Sequence, residues 1–161
     1  VNHNIKFNFR YIEREVSTRT TRNAQFDTGD PATKSGGGGL DFIAINENDG
    51  LPILGEIKVN KDKNSFFALV QLLTYLSEFS TKNQIDRINN NLLFDQIVKP
   101  PFYLYILLCH NDDKKMNDQW KEIHKETVIL AEKLVAKIAD IKEIIFLEIN
   151  DTTHETTAFQ L

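Results

Sequence analysis

Three charged side chains stand where a buried β-hairpin is expected: Asp41 in LDFIAIN, residues 40–46, and Glu56 and Lys58 in LPILGEIKV, residues 51–59. Side chains alternate between the faces of a strand, so Glu56 and Lys58 share one face while Ile57 and Val59 take the other. With a turn centred on residues 48–50, Asp41 lies opposite position 56 or 58, and either register sets it on that same face. Ionised carboxylates in a core are costly unless paired or bound to a metal. Two carboxylates that close repel each other, and one lysine neutralises only one of them. A hard divalent cation completes the account. Mg²⁺ or Mn²⁺ takes oxygen ligands and keeps several waters, so Asp41, Glu56, the Ile57 carbonyl and water would make an open site. Mg²⁺ held there would polarise a phosphoryl oxygen and generate hydroxide from bound water, with Lys58 placed to orient or deprotonate that water. The expected chemistry is phosphodiester hydrolysis.

A helix expected over residues 66–79, apolar around most of its circumference, carries Gln71, Tyr75 and Glu78 at i, i+4 and i+7, one narrow polar stripe. If the stripe faces the hairpin, Gln71 can hydrogen-bond a water or a phosphate and Tyr75 can contact a nucleic-acid backbone.

The elements that must position these residues follow from the pattern. Residues 1–21 mix Phe7, Phe9, Tyr11, Ile12 and Val16 with arginines, which suits an amphipathic helix. Residues 23–39, with Asp30-Pro31 and four glycines, read as a loop too flexible and polar to join a sheet. Asp49-Gly50 is a favoured hairpin turn between strands 40–46 and 51–59. Ser65 caps the helix that follows. Residues 81–99 are weakly helical, interrupted by asparagines and left open. FYLYILLC after Pro100-Pro101 lacks alternation, the signature of a strand buried on both faces in mid-sheet. Asp118 caps a long helix whose core stripe is Trp120, Ile123, Thr127, Leu130, Leu134 and Ile138. Residues 142–149 form a last strand, and the polar tail 150–161 is expected to be poorly ordered unless another chain holds it.

Asp41, the Glu56-Ile57-Lys58 triplet and QLLTY at residues 71–75 together resemble the PD-(D/E)XK nuclease superfamily, the restriction endonuclease-like group, in its Q-x-x-x-Y variety. By motif the resemblance covers residues 40–79. Beyond them only the order of elements agrees with the family's αβββαβ core, so the fold implied is α/β with a mixed central sheet flanked by helices. The resemblance implies Asp41 and Glu56 as metal ligands, Lys58 as the catalytic lysine and Gln71 and Tyr75 as the helix motif residues, with Glu13 or Glu15 as a further ligand. Leu40 stands where the family name has Pro. The activity implied is that of a Mg²⁺-dependent deoxyribonuclease of restriction, repair or phage-related type, with DNA as partner and RNA left open. A homodimer would supply two sites for two cuts. Some members have lost activity, so the alternative is a silent nucleic-acid-binding or partner-binding domain of the same fold.

Composition bounds these readings. The 161 residues make one domain, divided here into a helix and Gly-rich loop (1–39), a core (40–149) and a tail (150–161). The apolar share of 41% and charged share of 26% are those of a globular protein rather than a disordered or membrane one. A formal charge of −4 argues against non-specific coating of nucleic acid but permits a local basic groove, for which Arg10, Arg14, Arg19, Arg22, Lys61 and Lys63 are candidates. The single cysteine, Cys109, forms no internal disulfide, and with no bilayer-length apolar run the expected compartment is cytoplasmic, with no membrane partner. The four histidines show no metal spacing, and the glycines no G-x-G-x-x-G fingerprint. The competing reading of the hairpin is purely structural, with Lys58 salt-bridged to Asp41 or Glu56 at a sheet edge. Gln71 and Tyr75 would then only satisfy buried polar groups between helix and sheet.

Overall fold

In the computed structural model, which describes residues 9–17, 39–59, 64–90, 97–110, 118–150 and 156–159, the chain reverses at Gly50, whose φ of 72° suits a residue without a Cβ. Asp49 Oδ1 accepts from the Leu51 amide at 3.1 Å and Asn46 Oδ1 from the Asn48 amide at 2.9 Å, so the turn's own side chains satisfy its backbone. The turn joins β2 (Gly39–Asn46) to β3 (Pro52–Val59), the expected hairpin, with the register Phe42↔Gly55 and Ile43↔Leu54. Gly39 is already in the strand, a correction to the loop expected up to that residue; residues 18–38 lie outside the description.

On the far side of β2 lies β1 (Phe9–Ser17), antiparallel to it, where a helix was expected. The register shifts between Tyr11 and Glu13, a bulge that breaks the alternation of apolar and polar residues and leaves a pattern resembling helical periodicity. Backbone pairing with β2 decides the outcome.

After β3 come α1 (Ser65–Phe79), α2 (Lys82–Asn89), β4 (Phe102–His110), α3 (Asp118–Val135), β5 (Ile141–Asn150) and β6 (Thr156–Phe159). The cap of α1 is Asn64, whose side chain accepts from the Phe67 amide; Ser65 is the first helical residue and is buried. The described strands form one mixed sheet in the order β1 to β6, parallel at β3/β4 and β4/β5 and antiparallel elsewhere. β4 thus sits mid-sheet, as its unbroken apolar run requires. The tail is not loose throughout, since Thr156–Phe159 pairs with β5.

Helix α1 packs on β3 and α3 on β5, and the two helices touch. Their apolar faces close over Ile43, Leu54, Leu104, Ile106 and Phe146 to make the larger core. Phe42, Ala44, Ile53, Tyr103, Tyr105 and Leu147 form a second cluster from the alternate strand positions. Of the expected inward stripe, Thr127 is buried and Leu134 and Ile138 pack against the core, and the face extends to residues the stripe did not include. His124, Thr127, Val128 and Ala131 are buried, whereas Leu130 is exposed. The polar type of His124 hid its place on the inward face, while Thr127 enters the core as expected, its hydroxyl donating to the Ile123 carbonyl at 2.6 Å. No described helix is long and apolar enough to cross a membrane.

Candidate active site

Carried one residue past Phe42↔Gly55, the hairpin register sets Asp41 across from Glu56. The backbone ladder ends at Phe42↔Gly55, and the Asp41 side chain continues the contact: Oδ2 accepts from the Ile57 amide at 2.6 Å. That bond aims the Asp41 carboxylate at the β3 backbone between Glu56 and Lys58. Ile57 was expected to contribute its carbonyl to a metal; the contact seen uses its N–H, and its side chain turns outward to solvent.

Glu56 and Lys58 point into the helix-covered face, only 4% and 7% exposed. Their ion pair measures 3.0 Å from Nζ to Oε1, and the same Nζ donates to Gln71 Oε1 on α1 at 2.5 Å. A lysine has donors and no acceptor, so the oxygen of the Gln71 amide must face Lys58 and its NH₂ must face away. Tyr75 stands one turn along on the same flank of α1. Burial raises the Tyr75 pKa above the ordinary phenol range, the Gln71 hydrogen bond opposes this, the Glu56 and Asp41 carboxylates raise it further, and Lys58 lowers it. Tyr75 therefore senses every charge of the site. Asp41, Gln71 and Tyr75 are half-buried, forming an approachable rim over a buried Glu56–Lys58 floor.

The structure thus brings together Asp41, Glu56, Lys58, Gln71 and Tyr75. Glu78 is half-buried farther along α1. Glu13 pairs with Ile43, and Glu15 falls between the pairs Arg14↔Phe42 and Val16↔Leu40, the register position of Asp41. The side chains of both glutamates lie outside the described residues, as do those of Arg14, Arg19, Arg22, Lys61 and Lys63. Arg10 is exposed on β1. Cys109 is half-buried near the end of β4, while the side chain of His110 and residues His3 and His154 are not among those described.

Among the described residues no group of three or more His, Cys, Asp or Glu side chains is gathered for a metal. Two carboxylates meet the needs of Mg²⁺, which retains waters and is commonly bound by one or two carboxylates together with substrate phosphates. They do not make the closed cage of a structural zinc site.

One residue that shapes the site was not singled out in the sequence. The Phe42 ring lies over Gly55, so close that a Cβ on Gly55 would come within 2.0 Å of Cε1 and Cζ. Gly55 immediately precedes Glu56, and its lack of a side chain lets an aromatic ring from β2 cover β3 behind the charged pair. An isolated glycine in a strand, opposite an aromatic residue in the hairpin register, was the available signal.

Comparison with protein-family models, curated proteins and solved structures gives no match.

Proposed function

We propose that the domain is a metal-dependent nuclease of the PD-(D/E)XK type that hydrolyses phosphodiester bonds in DNA. The observation that carries this reading is the convergence of Asp41, Glu56 and Lys58 from a hairpin with Gln71 and Tyr75 from the next helix, tied by the Lys58 contacts of 3.0 and 2.5 Å. The order β1, β2, β3, α1, β4 also supports it, because Phe9–Ser17 supplies the first of the three strands that the αβββαβ core calls for.

In this reading Asp41 and Glu56 hold Mg²⁺ or Mn²⁺, with Glu15 the better placed of the two N-terminal glutamates by backbone register. A cation bound there supplies Lewis-acid polarisation of a phosphoryl oxygen. Lys58 orients the attacking water and offsets charge developing on the phosphate, its ammonium fixed by Glu56 and Gln71. Tyr75, one turn from Gln71 and half-buried at the rim, can donate its phenol proton to a phosphate oxygen. Gln71 sets the orientation of the Lys58 donor.

The test is cleavage of supercoiled, linear and single-stranded DNA, and of RNA, with Mg²⁺, Mn²⁺ or EDTA, run beside Asp41→Asn and Lys58→Ala. Metal-dependent cutting that both variants lose supports the reading. No cutting by folded wild-type protein, with no heat of Mg²⁺ binding by calorimetry, overturns it in favour of a silent binding domain whose Glu56–Lys58 pair is structural.

A further inference from the structure

Helix α1 buries Ala68, Leu69, Leu72, Leu76 and Phe79, yet its first turns leave Phe66, Phe67 and Val70 exposed at 44%, 60% and 43%. The two rings meet edge to face with centroids 6.4 Å apart. The cap makes no use of the Phe67 ring, since only its backbone amide donates to Asn64 Oδ1, at 3.1 Å. Single exposed apolar residues are ordinary. Three within two turns, two of them aromatic, make a patch that water disfavours. Its place on the helix is informative: Phe67 is four residues before Gln71 and eight before Tyr75, on the same flank of α1. It stands one turn, about 5.4 Å, from the residue that holds Lys58.

We propose that Phe67 is a base-stacking platform, and that the DNA taken by this site has a single-stranded segment beside the cleaved phosphate. The proposal rests on the nuclease reading, since the phosphate is placed at Asp41, Glu56 and Lys58. One helix turn corresponds to between one and two stacked nucleotide steps of about 3.4 Å, so a base next to the bound phosphate reaches the ring. Every unpaired base offers a π face, and stacking on an aromatic side chain tolerates any sequence. In an intact duplex those faces are covered by neighbouring bases, and the ring has little to grip. Phe66 braces Phe67 edge to face. The favoured substrates are therefore frayed ends, flaps and gapped strands. Continuity with the site's own phosphate-binding donors distinguishes this occupant from a protein surface.

The experiment measures the affinity of wild type, Phe67→Ala and Phe67→Trp for a short mixed-sequence DNA strand and for a blunt hairpin duplex, in EDTA, with cleavage of both followed in Mg²⁺. Phe67→Ala is expected to weaken single-strand binding about 5- to 100-fold and to leave duplex binding within about twofold, while Phe67→Trp keeps single-strand affinity. Single-strand affinity unchanged in Phe67→Ala, with wild-type cleavage present, overturns the platform and leaves the nuclease reading standing. Equal losses on both DNA forms also overturn it. A loss confined to the single strand, in a protein that cuts nothing, supports the platform and removes the hydrolytic reading. No binding or cutting of DNA by wild type overturns both. Unchanged affinity together with a smaller assembly in sedimentation overturns the platform and assigns the patch to self-association.

Discussion

Gln71 accepts the Lys58 ammonium at 2.5 Å, which fastens helix α1 to strand β3 at the place where Glu56 approaches the same ammonium to 3.0 Å. The link crosses the helix-covered face of the sheet, where an unpaired charge is costly. Helix docking and the orientation of the charged pair therefore depend on each other.

Lys58→Met should destabilise the fold by about 3–5 kcal/mol, because it leaves the buried Glu56 carboxylate without its ammonium. Adding Glu56→Gln to that variant should recover most of the loss. Urea unfolding of the wild type, both single variants and the double variant gives the coupling directly. Additive single losses would mean that the pair contributes nothing as a pair.

If the proposed metal-dependent reading holds, Mg²⁺ should raise the wild-type unfolding midpoint, since a cation taken by Asp41 and Glu56 would bind only where the hairpin brings them together. At one hundred times its Kd the gain is about 2.7 kcal/mol. Asp41→Asn keeps an oxygen to accept the Ile57 amide, so the hairpin should survive while the Mg²⁺ shift disappears. A shift that persists in Asp41→Asn would place the cation elsewhere.

Gly55→Ala should cost about 1–3 kcal/mol, because the new methyl group would meet the Phe42 ring at 2.0 Å and the ring must leave its position over β3. Phe42→Leu in the same chain should relieve part of that cost, giving less than additive losses. Thermal unfolding of the two single variants and the double variant tests this. If the nuclease reading holds, Gly55→Ala should also slow cleavage, because Glu56 is the next residue.

What was legible in the sequence follows the range of the forces involved. The hairpin and its charged face could be read because the Asp49-Gly50 turn and the alternation of β3 are local. The Q-x-x-x-Y stripe could be read because helical spacing is regular. Strand β1 could not, because it is defined by pairing with β2, and the shift between Tyr11 and Glu13 disrupts its alternation. The strand at Thr156–Phe159 likewise depends on the edge offered by β5. In α3, the buried His124 looked solvent-facing by type and the exposed Leu130 looked inward, and only the packing shows the direction of the stripe. The site's residue types were visible; the Asp41 contact to the Ile57 amide needed the exact end of the backbone ladder.

Stability should fall on both sides of neutrality for separate reasons. Burial lowers the pKa of His124, which packs edge to face against Phe146 at 5.3 Å, so the unfolded chain takes up a proton there before the folded one does. Its contribution is present above the unfolded value of about 6.5 and is lost as pH falls from there toward the folded pKa. On the alkaline side burial pushes Tyr103 and Tyr105 up to about 12; a hydrogen bond to Asp49 Oδ2 at 2.8 Å adds to the shift of Tyr103, and the Glu143 and Asp49 charges to that of Tyr105. Both folded-state values exceed the unfolded value of about 10, so the stabilisation is complete below it and is lost as pH rises toward 12. Urea midpoints measured across pH should decline below about 6.5 and again above about 10. His124→Gln should flatten the acid limb alone, and Tyr103→Phe with Tyr105→Phe the alkaline limb alone. An acid limb unchanged in His124→Gln would transfer that loss of stability to the carboxylates.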